Sequence, residues 1–93
     1  MNLKIYTMRR TVYEGETSRV TLPTQVGEVT VLDHHEPYVT ILEPGNVRYE
    51  IPVSVELPSG TKSPLRHGEN ALPIKGGFIE VREGNEVRIL ADE

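Results

Sequence analysis

The chain has 93 residues, a length typical of one domain, and a domain of this size buries only about two-thirds of the surface that its unfolded chain exposes. Its formal net charge is −4, with the acidic residues scattered, so no basic field favours nucleic acid as a partner. The lack of cysteine excludes disulfides, thiolate catalysis and cysteine-based zinc sites. With 37% hydrophobic residues and no tryptophan, we expect a core of valine, isoleucine and leucine.

The N-terminal residues alternate between apolar and polar side chains, with Leu3 and Ile5 on either side of Lys4. A signal peptide would need a continuous apolar run at this place, and no run approaches the length that crosses a membrane. We therefore expect a soluble chain without direct membrane insertion, which works at a membrane only if another protein holds it there.

Short β-strands are predicted in the first half of the chain, because apolar residues alternate there with polar ones between glycines and prolines. Residues 2–14 predict two strands with a turn near residues 8–10. A third strand, residues 19–22, is expected to end before Pro23. The fourth and fifth predicted strands are residues 28–32 and 38–42.

The clearest strand pattern covers residues 47–57, where every second residue is apolar, a period that no helix could bury on one side. Pro52 interrupts the pattern and predicts a sheet edge or a bulge, because proline cannot donate to a ladder. Residues 58–60 predict a turn. Residues 61–70 predict a loop or a weak hairpin, after which Leu72 and Ile74 alternate into two glycines.

A hairpin is predicted at the end of the chain, from strands at residues 78–82 and 86–91 and the turn Glu83-Gly84-Asn85. Gly76-Gly77, just before it, is interpreted as a bulge or a close approach of two backbones. Eight or more short strands separated by glycine and proline are typical of an antiparallel sandwich or barrel. The pattern predicts an all-β fold in a single domain, residues 1–93.

His34-His35-Glu36 is the first candidate for chemistry, because imidazole and carboxylate groups bind metals. Neighbours in a strand point to opposite faces, so the two histidines share a metal only if the backbone turns within residues 33–37, with His67 as a further ligand. Two adjacent ligands still leave a structural zinc short of four partners. We therefore expect loop histidines and no metal.

Catalysis has no support in the sequence. There is no serine, histidine and acid constellation and no phosphate-binding loop, and Gly76-Gly77 leads into a predicted strand, where phosphate binding uses a helix N-terminus. Arg9-Arg10 is interpreted as a solvated pair, and Glu28 as a surface charge. We predict a protein without catalytic residues or a cofactor, which binds a partner through its surface.

Three motifs identify a possible family. Residues 22–45 contain, in order, Leu-Pro, Gly-Glu, a leucine followed by histidine and proline, and a Leu, Pro, Gly ending. Residues 76–81 are Gly-Gly-Phe-Ile-Glu-Val, and residues 87–92 are Val-Arg-Ile-Leu-Ala-Asp. The order and character of these motifs resemble the epsilon subunit of F-type ATP synthases, whose last two motifs are Gly-Gly-Phe-Leu-Glu-Val and Val-x-Val-Leu-Ala-Asp.

The resemblance implies a flattened, antiparallel β-sandwich of ten strands in two sheets. It also implies a non-catalytic subunit of the rotating central stalk, which links the gamma subunit to the membrane c-ring at the cytoplasmic face of the bacterial inner membrane and helps to couple ion transport to ATP synthesis. Carried over by position, Glu28 would contact the c-ring and His35 the gamma subunit. The alternative is a free-standing β-sandwich that binds a small ligand or an unrelated protein.

Three features depart from the family pattern. Asp33-His34 stands in place of Pro-Gly and Glu36 in place of a small residue, which predicts a turn with a different backbone and more charge. Residues 47–74 are longer than usual, which predicts an extended hairpin. Residues 90–93 lie where the family's C-terminal helical hairpin would begin, so we expect coupling without inhibition by this subunit and without ATP binding.

Overall fold

The computed structural model describes residues 1–53 and 66–93, with side chains for residues 1–51 and 68–93. Within these ranges the chain forms nine β-strands and no helix, as the alternating pattern predicted. The strands are β1 (Asn2–Tyr6), β2 (Thr11–Glu16), β3 (Arg19–Thr24), β4 (Gly27–Leu32), β5 (Tyr38–Leu42), β6 (Gly45–Val53), β7 (Arg66–Ile74), β8 (Gly76–Arg82) and β9 (Glu86–Asp92).

The described strands belong to one curled sheet, in the order β2-β1-β9-β8-β5-β3-β6-β7, with β4 paired to the other side of β3. One half of the sheet is β2-β1-β9-β8-β5, and the other is built from β3, β4, β6 and β7. The halves meet where Thr24 of β3 pairs with Leu42 of β5. The all-β class is confirmed. In the described residues the strands connect into one sheet that bends through this corner, and the division into two sheets stays a prediction.

The prediction of an entirely antiparallel sheet is wrong at one place, because β1 and β9 pair in parallel. Leu3 is aligned with Val87 and Ile5 with Ile89. The two strands come from opposite ends of the chain, so no local turn between them dictates their direction. Alternation along each strand shows which residues face the core, but it contains no information about the direction of a distant neighbour.

The core is aliphatic, as the composition predicted, and receives side chains from both halves of the sheet. Every second residue of β1, β3 and β9 is buried, which is the period of a strand with one covered face. The largest fully buried side chains are Leu3, Ile5, Val20, Leu22, Val31, Val47, Ile79, Val87 and Ile89. Because both halves contribute, neither half would bury its apolar face alone.

The predicted boundaries need two corrections. Pro23 lies inside β3, opposite Glu28, and its carbonyl oxygen accepts a hydrogen bond from the amide of Glu43 (3.0 Å). Residues 66–70, predicted as a loop or weak hairpin, belong to β7, which pairs with β6 from Gly45 opposite Ile74 onwards. A polar stretch becomes a strand here because β6 supplies the ladder, an effect of tertiary context that propensity does not include.

The remaining strand predictions agree with the structure where it describes the chain, including the final hairpin, whose residues Val87, Ile89 and Ala91 are buried on one face. The end of the strand predicted at residues 47–57 and the turn predicted at residues 58–60 lie outside the described residues. The predicted extended hairpin agrees with the nine aligned positions of β6 and β7, and the part of that prediction at residues 54–65 lies outside the described residues. Among the described residues, β6 is aligned with β3 at Arg48 and Tyr49, and the partner aligned with Pro52 is His67 of β7. The described ranges contain no helix with the length and apolar character needed to cross a bilayer.

The N-terminus is bonded into one end of the sheet. The Met1 ammonium group donates to the carbonyl oxygen of Thr17 (2.9 Å) and to the carboxylate of Asp33. The side-chain amide of Asn85 also donates to Asp33 (3.4 Å). These hydrogen bonds, the one from the ammonium group first, lower the pKa of the Asp33 carboxyl group from its ordinary value.

The first prediction uses the two neighbouring glycines at the start of β8. A Cβ added to Gly77, whose φ is +141°, would lie 2.2 Å from the carbonyl oxygen of Leu90, whereas one on Gly76 would meet an ordinary contact of 3.5 Å with Leu42. Gly77→Ala should lower the free energy of unfolding by about 3 kcal/mol or more, and Gly76→Ala by less than about 1 kcal/mol. Urea denaturation measures both, and equal losses would contradict the proposed close approach.

The second prediction concerns Asp33. Because its pKa is lower in the folded than in the unfolded chain, its stabilisation is complete above the ordinary pKa of about 4 and is lost as the pH falls through the folded value. Its side chain is 51% exposed, so Asp33→Asn should cost only about 0.5 kcal/mol at pH 7. Urea denaturation of both proteins should show this difference at pH 7 and a progressively smaller one as the pH falls below about 4. A difference independent of pH would exclude the carboxylate as its cause.

Candidate protein-contact site

The β3–β4 hairpin positions Glu28 at the start of β4. The two-residue connection is closed by Thr24, whose hydroxyl donates to the carbonyl oxygen of Gly27 (2.7 Å) and accepts from the amide of Val26 (3.3 Å). Gly27 has a φ of +103°, a conformation that glycine takes without strain. Hydrogen bonds within the hairpin therefore fix the conformation of its end, and Glu28 is the residue directly after Gly27.

Glu28 is exposed, as predicted, but its carboxylate is not free. Nη2 of Arg48 lies 3.0 Å from each of its two oxygens, and Nε of the same arginine lies 3.9 Å from the carboxylate of Glu69. An exposed ion pair contributes at most about 1 kcal/mol to stability, so these contacts matter little for the fold. They leave two carboxylates sharing one guanidinium group on this surface.

Arg48 was not among the residues selected from the sequence. It lies between the buried residues Val47 and Tyr49, so alternation alone places it on the outer face of β6. Alternation cannot show that β6 lies beside β3, where Arg48 is aligned with Thr21. Nor can it show that β3 also pairs with β4, the strand that carries Glu28. The pairing therefore depends on sheet order, which is a tertiary property.

Apolar side chains on the outer surface form a second feature that the sequence analysis did not select. Val26, at the tip of the β3–β4 hairpin, is 85% exposed. On the outer face of the other half of the sheet, Ile41, Phe78 and Leu90 are aligned across β5, β8 and β9, and all three are exposed. Ile41, Phe78 and Leu90 occupy exposed strand positions that alternate with buried ones, where the two-residue period predicts polar side chains, so the pattern by itself assigns them no function.

The segment between β4 and β5, residues 33–37, carries the second predicted contact. The amide of His35 donates to the carbonyl oxygen of Leu32 (3.2 Å), which closes a four-residue turn with Asp33 and His34 at its centre. His34 has a φ of +60°. A turn with positive φ at its third residue favours proline followed by glycine at the two central positions.

This geometry changes one expectation. The departure from Pro-Gly predicted a different backbone, yet Asp33-His34 adopts a conformation that Pro-Gly would take readily. The difference therefore lies in the side chains and in strain, because a left-handed backbone costs a residue with a Cβ roughly 1–2 kcal/mol. A hydrogen bond from the amide of His34 to Oδ1 of Asn85 (2.7 Å) is made in this conformation.

His35 is exposed at the end of this turn. Its Nδ1 lies 2.7 Å from the carbonyl oxygen of Glu36, and its ring centre lies 6.0 Å from that of Tyr38 at a tilt of 56°. These contacts orient the imidazole without burying it. The side chain is thus presented to solvent from a defined turn, which suits contact with another protein.

No three histidine, aspartate or glutamate side chains approach one another closely enough to hold a metal ion in the part of the chain that the structure describes. The His34, His35 and Glu36 group does not converge on a common point within these residues. The side chain of His67, named as a further ligand, lies outside them. The absence of a bound metal stays a prediction.

Glu28 and His35 lie at opposite ends of β4, because Glu28 is its second residue and the turn that carries His35 follows its last residue, Leu32. Four residues of extended strand span about 13 Å, which is the approximate distance from Glu28 to Leu32, the residue at which the turn begins. At the Glu28 end lie the β3–β4 hairpin and the start of β8, and at the His35 end lie Met1 and the β8–β9 turn. The structure keeps the two predicted contacts apart.

Comparison with known proteins gives one family. The family model described as "ATP synthase, Delta/Epsilon chain, beta-sandwich domain" matches residues 1–93. The ATP synthase epsilon chain of Herpetosiphon aurantiacus is 36% identical over 92 residues, which cover 99% of this chain and 57% of that protein. The chloroplastic epsilon chain of Chlamydomonas reinhardtii is 32% identical over 93 residues, covering 100% and 60%.

Solved structures agree. The chain is similar, with a TM-score of 0.72 and 27% identity, to a chain in the OSCP/F1/c-ring structure of the Euglena gracilis mitochondrial ATP synthase, covering 98% of this chain and 49% of that one. A chain in the central stalk/c-ring structure of the Tetrahymena thermophila mitochondrial enzyme has a TM-score of 0.75 at 19% identity, covering 100% and 63%, which supports the fold.

The chain spans slightly more than half the length of the curated relatives described above. The match covers all the described strands and the three motifs at residues 22–45, 76–81 and 87–92. The chain belongs to the family of ATP synthase delta/epsilon β-sandwich domains.

Proposed function

We propose that this chain acts as a non-catalytic central-stalk component of a rotary F-type ATP synthase, in which it links a gamma-type subunit to the membrane c-ring. The observation that carries the proposal is the family match, which extends over all 93 residues. The relative in the Euglena structure, which includes F1 and the c-ring, supports the same assignment. For a bacterial enzyme the position would be peripheral, at the cytoplasmic face of the inner membrane.

The role is mechanical. A link between a turning ring and a turning shaft has to transmit force without yielding, and a continuous ladder of strands around one core resists deformation better than loosely packed elements. The sheet is elongated, with principal dimensions of 48 × 26 × 23 Å. The single β-sandwich domain that we propose is thus long enough to contact different partners at its two ends.

The site assignments follow from the two ends of β4. We propose that the end with Glu28 contacts the c-ring and that the turn with His35 contacts the gamma-type subunit. Both side chains are exposed, and each is oriented by neighbouring groups, Arg48 for the carboxylate and Tyr38 for the imidazole. A link needs two separated contacts, and this separation supports the assignment.

A free-standing β-sandwich binding module, the alternative from the sequence, has no specific observation in its favour. In the described residues the histidines are surface groups rather than the lining of a closed site. The proposed stalk function needs no catalytic residue and no cofactor in this chain, and it accounts for the family match.

The third prediction tests the function as a whole. The chain, added to a synthase rotor that lacks its own epsilon-type subunit, should co-purify with the gamma-type subunit and the c-ring. The reason is that each end of the sheet supplies one contact. Quantitative pull-down from detergent-solubilised rotors measures it, with Gly77→Ala, expected to be poorly folded, as a negative control. Failure of the parent to co-purify, or equal retention of parent and control, would contradict a specific contact.

The fourth prediction separates the two contacts by charge reversal and truncation. Glu28→Lys should weaken association with the c-ring by about 1 kcal/mol, the magnitude of a rim charge, and His35→Ala should weaken association with the gamma-type subunit by about 1–2 kcal/mol. Association is measured by titration of the labelled chain into purified c-ring or gamma-type subunit, and ATP-driven ion pumping by reconstituted vesicles measures coupling.

Two matched controls accompany these variants. Glu14→Lys makes the same charge change at an exposed position on the edge strand β2, and Glu83→Ala removes an exposed side chain from the turn next to the His35 segment. Both should bind and pump like the parent. If Glu28→Lys and His35→Ala also behave like the parent, the two residue assignments are wrong, whereas the stalk function is then judged from the pull-down.

A further inference from the structure

Two residues other than glycine have a positive φ in the described part of the chain, and they are bonded to each other. His34 and Asn85 both have a φ of +60°, and the backbone amide of His34 donates to the side-chain oxygen of Asn85 at 2.7 Å. Unfavourable backbone conformations persist only where surrounding contacts hold them. The two positions come from different loops, 51 residues apart in the chain, so their contact is made by the fold.

The position of Asn85 in the β8–β9 turn does not require an amide side chain. Asn85 follows Gly84, which has a φ of +85°, and two successive residues with positive φ are the geometry of a tight hairpin turn. Glycine meets this requirement at Asn85 as well as asparagine does. The amide group is therefore free to serve another purpose, and it points to residues 33–37.

The side chain of Asn85 bonds the segment at two atoms. Its Oδ1 accepts from the amide of His34, and its Nδ2 donates to the carboxylate of Asp33 at 3.4 Å. Among the described residues, the hydrogen bonds that join residues 33–37 to distant parts of the chain go to Asn85 and Met1. The contacts of His35 are local, with Leu32, Glu36 and Tyr38.

We propose that Asn85 is a positioning residue, which holds the strained Asp33-His34 turn so that His35 is presented to its partner protein. Asn85 itself need not touch that partner. The inference rests on the proposed gamma-type contact of His35 for its functional part, and on the hydrogen bonds described above for its structural part. The proposal gives the β8–β9 turn a role in the contact with the partner protein. Neither the motif at residues 22–45 nor the position of His35 indicates this role.

The test uses Asn85→Gly, which keeps the left-handed backbone and removes both side-chain hydrogen bonds. The measured group is the amide of His35, which bonds to Leu32 and not to Asn85, so a change there reports on the turn rather than on the deleted bond. We expect its hydrogen exchange to accelerate about tenfold, and the affinity for a purified gamma-type subunit to fall about five- to tenfold. Thermal unfolding checks that the variant is folded.

Two further variants give the test its controls. Glu83→Ala changes the same turn without touching residues 33–37 and should leave both measurements unchanged. His34→Gly relieves the strain at this position. Adding Asn85→Gly to His34→Gly should therefore change the hydrogen exchange of the His35 amide and the affinity for the gamma-type subunit by less than threefold. If Asn85 had only a structural role, Asn85→Gly would have the same effect with histidine or with glycine at position 34.

The outcomes are distinct. Unchanged exchange at His35 in Asn85→Gly overturns the proposal. Faster exchange with unchanged binding, while His35→Ala does weaken binding, overturns its functional part. If the parent chain binds no gamma-type subunit, the proposed function has failed, and the exchange measurements alone then support or overturn the positioning of the turn by Asn85.

Discussion

The parallel pairing of β1 with β9 is the interaction on which the rest of the fold depends. It seats Leu3 and Ile5 beside Val87 and Ile89 in the middle of the sheet, and all four side chains are almost completely buried. Each such burial contributes about 1.5–3 kcal/mol, a large share for a domain with a thin stability margin. Without this pairing, β2 would lose its ladder connection to the rest of the sheet, because it is paired to β1 and β1 is paired to β9.

The same pairing organises one end of the molecule. It brings Asn2 to the β8–β9 turn, where its amide donates to the carbonyl oxygen of Asn85 (2.9 Å), and it places the Met1 ammonium beside Asp33. Three segments distant in the chain thereby meet at the turn that carries His35. A side chain that is proposed to contact a partner from an exposed turn needs this kind of support, because residues 33–37 lie outside any strand and have no ladder of their own.

The opposite end is organised by charge and close packing. There Glu28 lies beside the hairpin turn and shares Arg48 with Glu69, while Gly77 allows β8 to approach the backbone of β9. The two ends thus present different chemistry. The Glu28 end has an ion network and an exposed apolar hairpin tip, and the other end has a turn that carries an imidazole. A domain that links two different partners has a use for such a difference, which is the physical sense of the proposed stalk function.

The all-β class, the aliphatic core and most of the strands can be predicted from the amino-acid sequence, because a two-residue period and the positions of glycine and proline are local properties. The sequence also indicated the family through three motifs, and Glu28 and His35 as exposed positions. Pro23 and residues 66–70 were misjudged for the same local reason, since propensity does not include the ladder that a neighbouring strand supplies.

Which distant residues meet depends on the tertiary fold. The parallel direction of β1 and β9, the single curled sheet, the pairing of Glu28 with Arg48 and the bond between His34 and Asn85 all join segments far apart in the chain. Alternation tells which face a side chain occupies but not which strand lies beside it. The order and direction of strands are settled by burying all apolar faces at once, and that balance is a property of the whole chain.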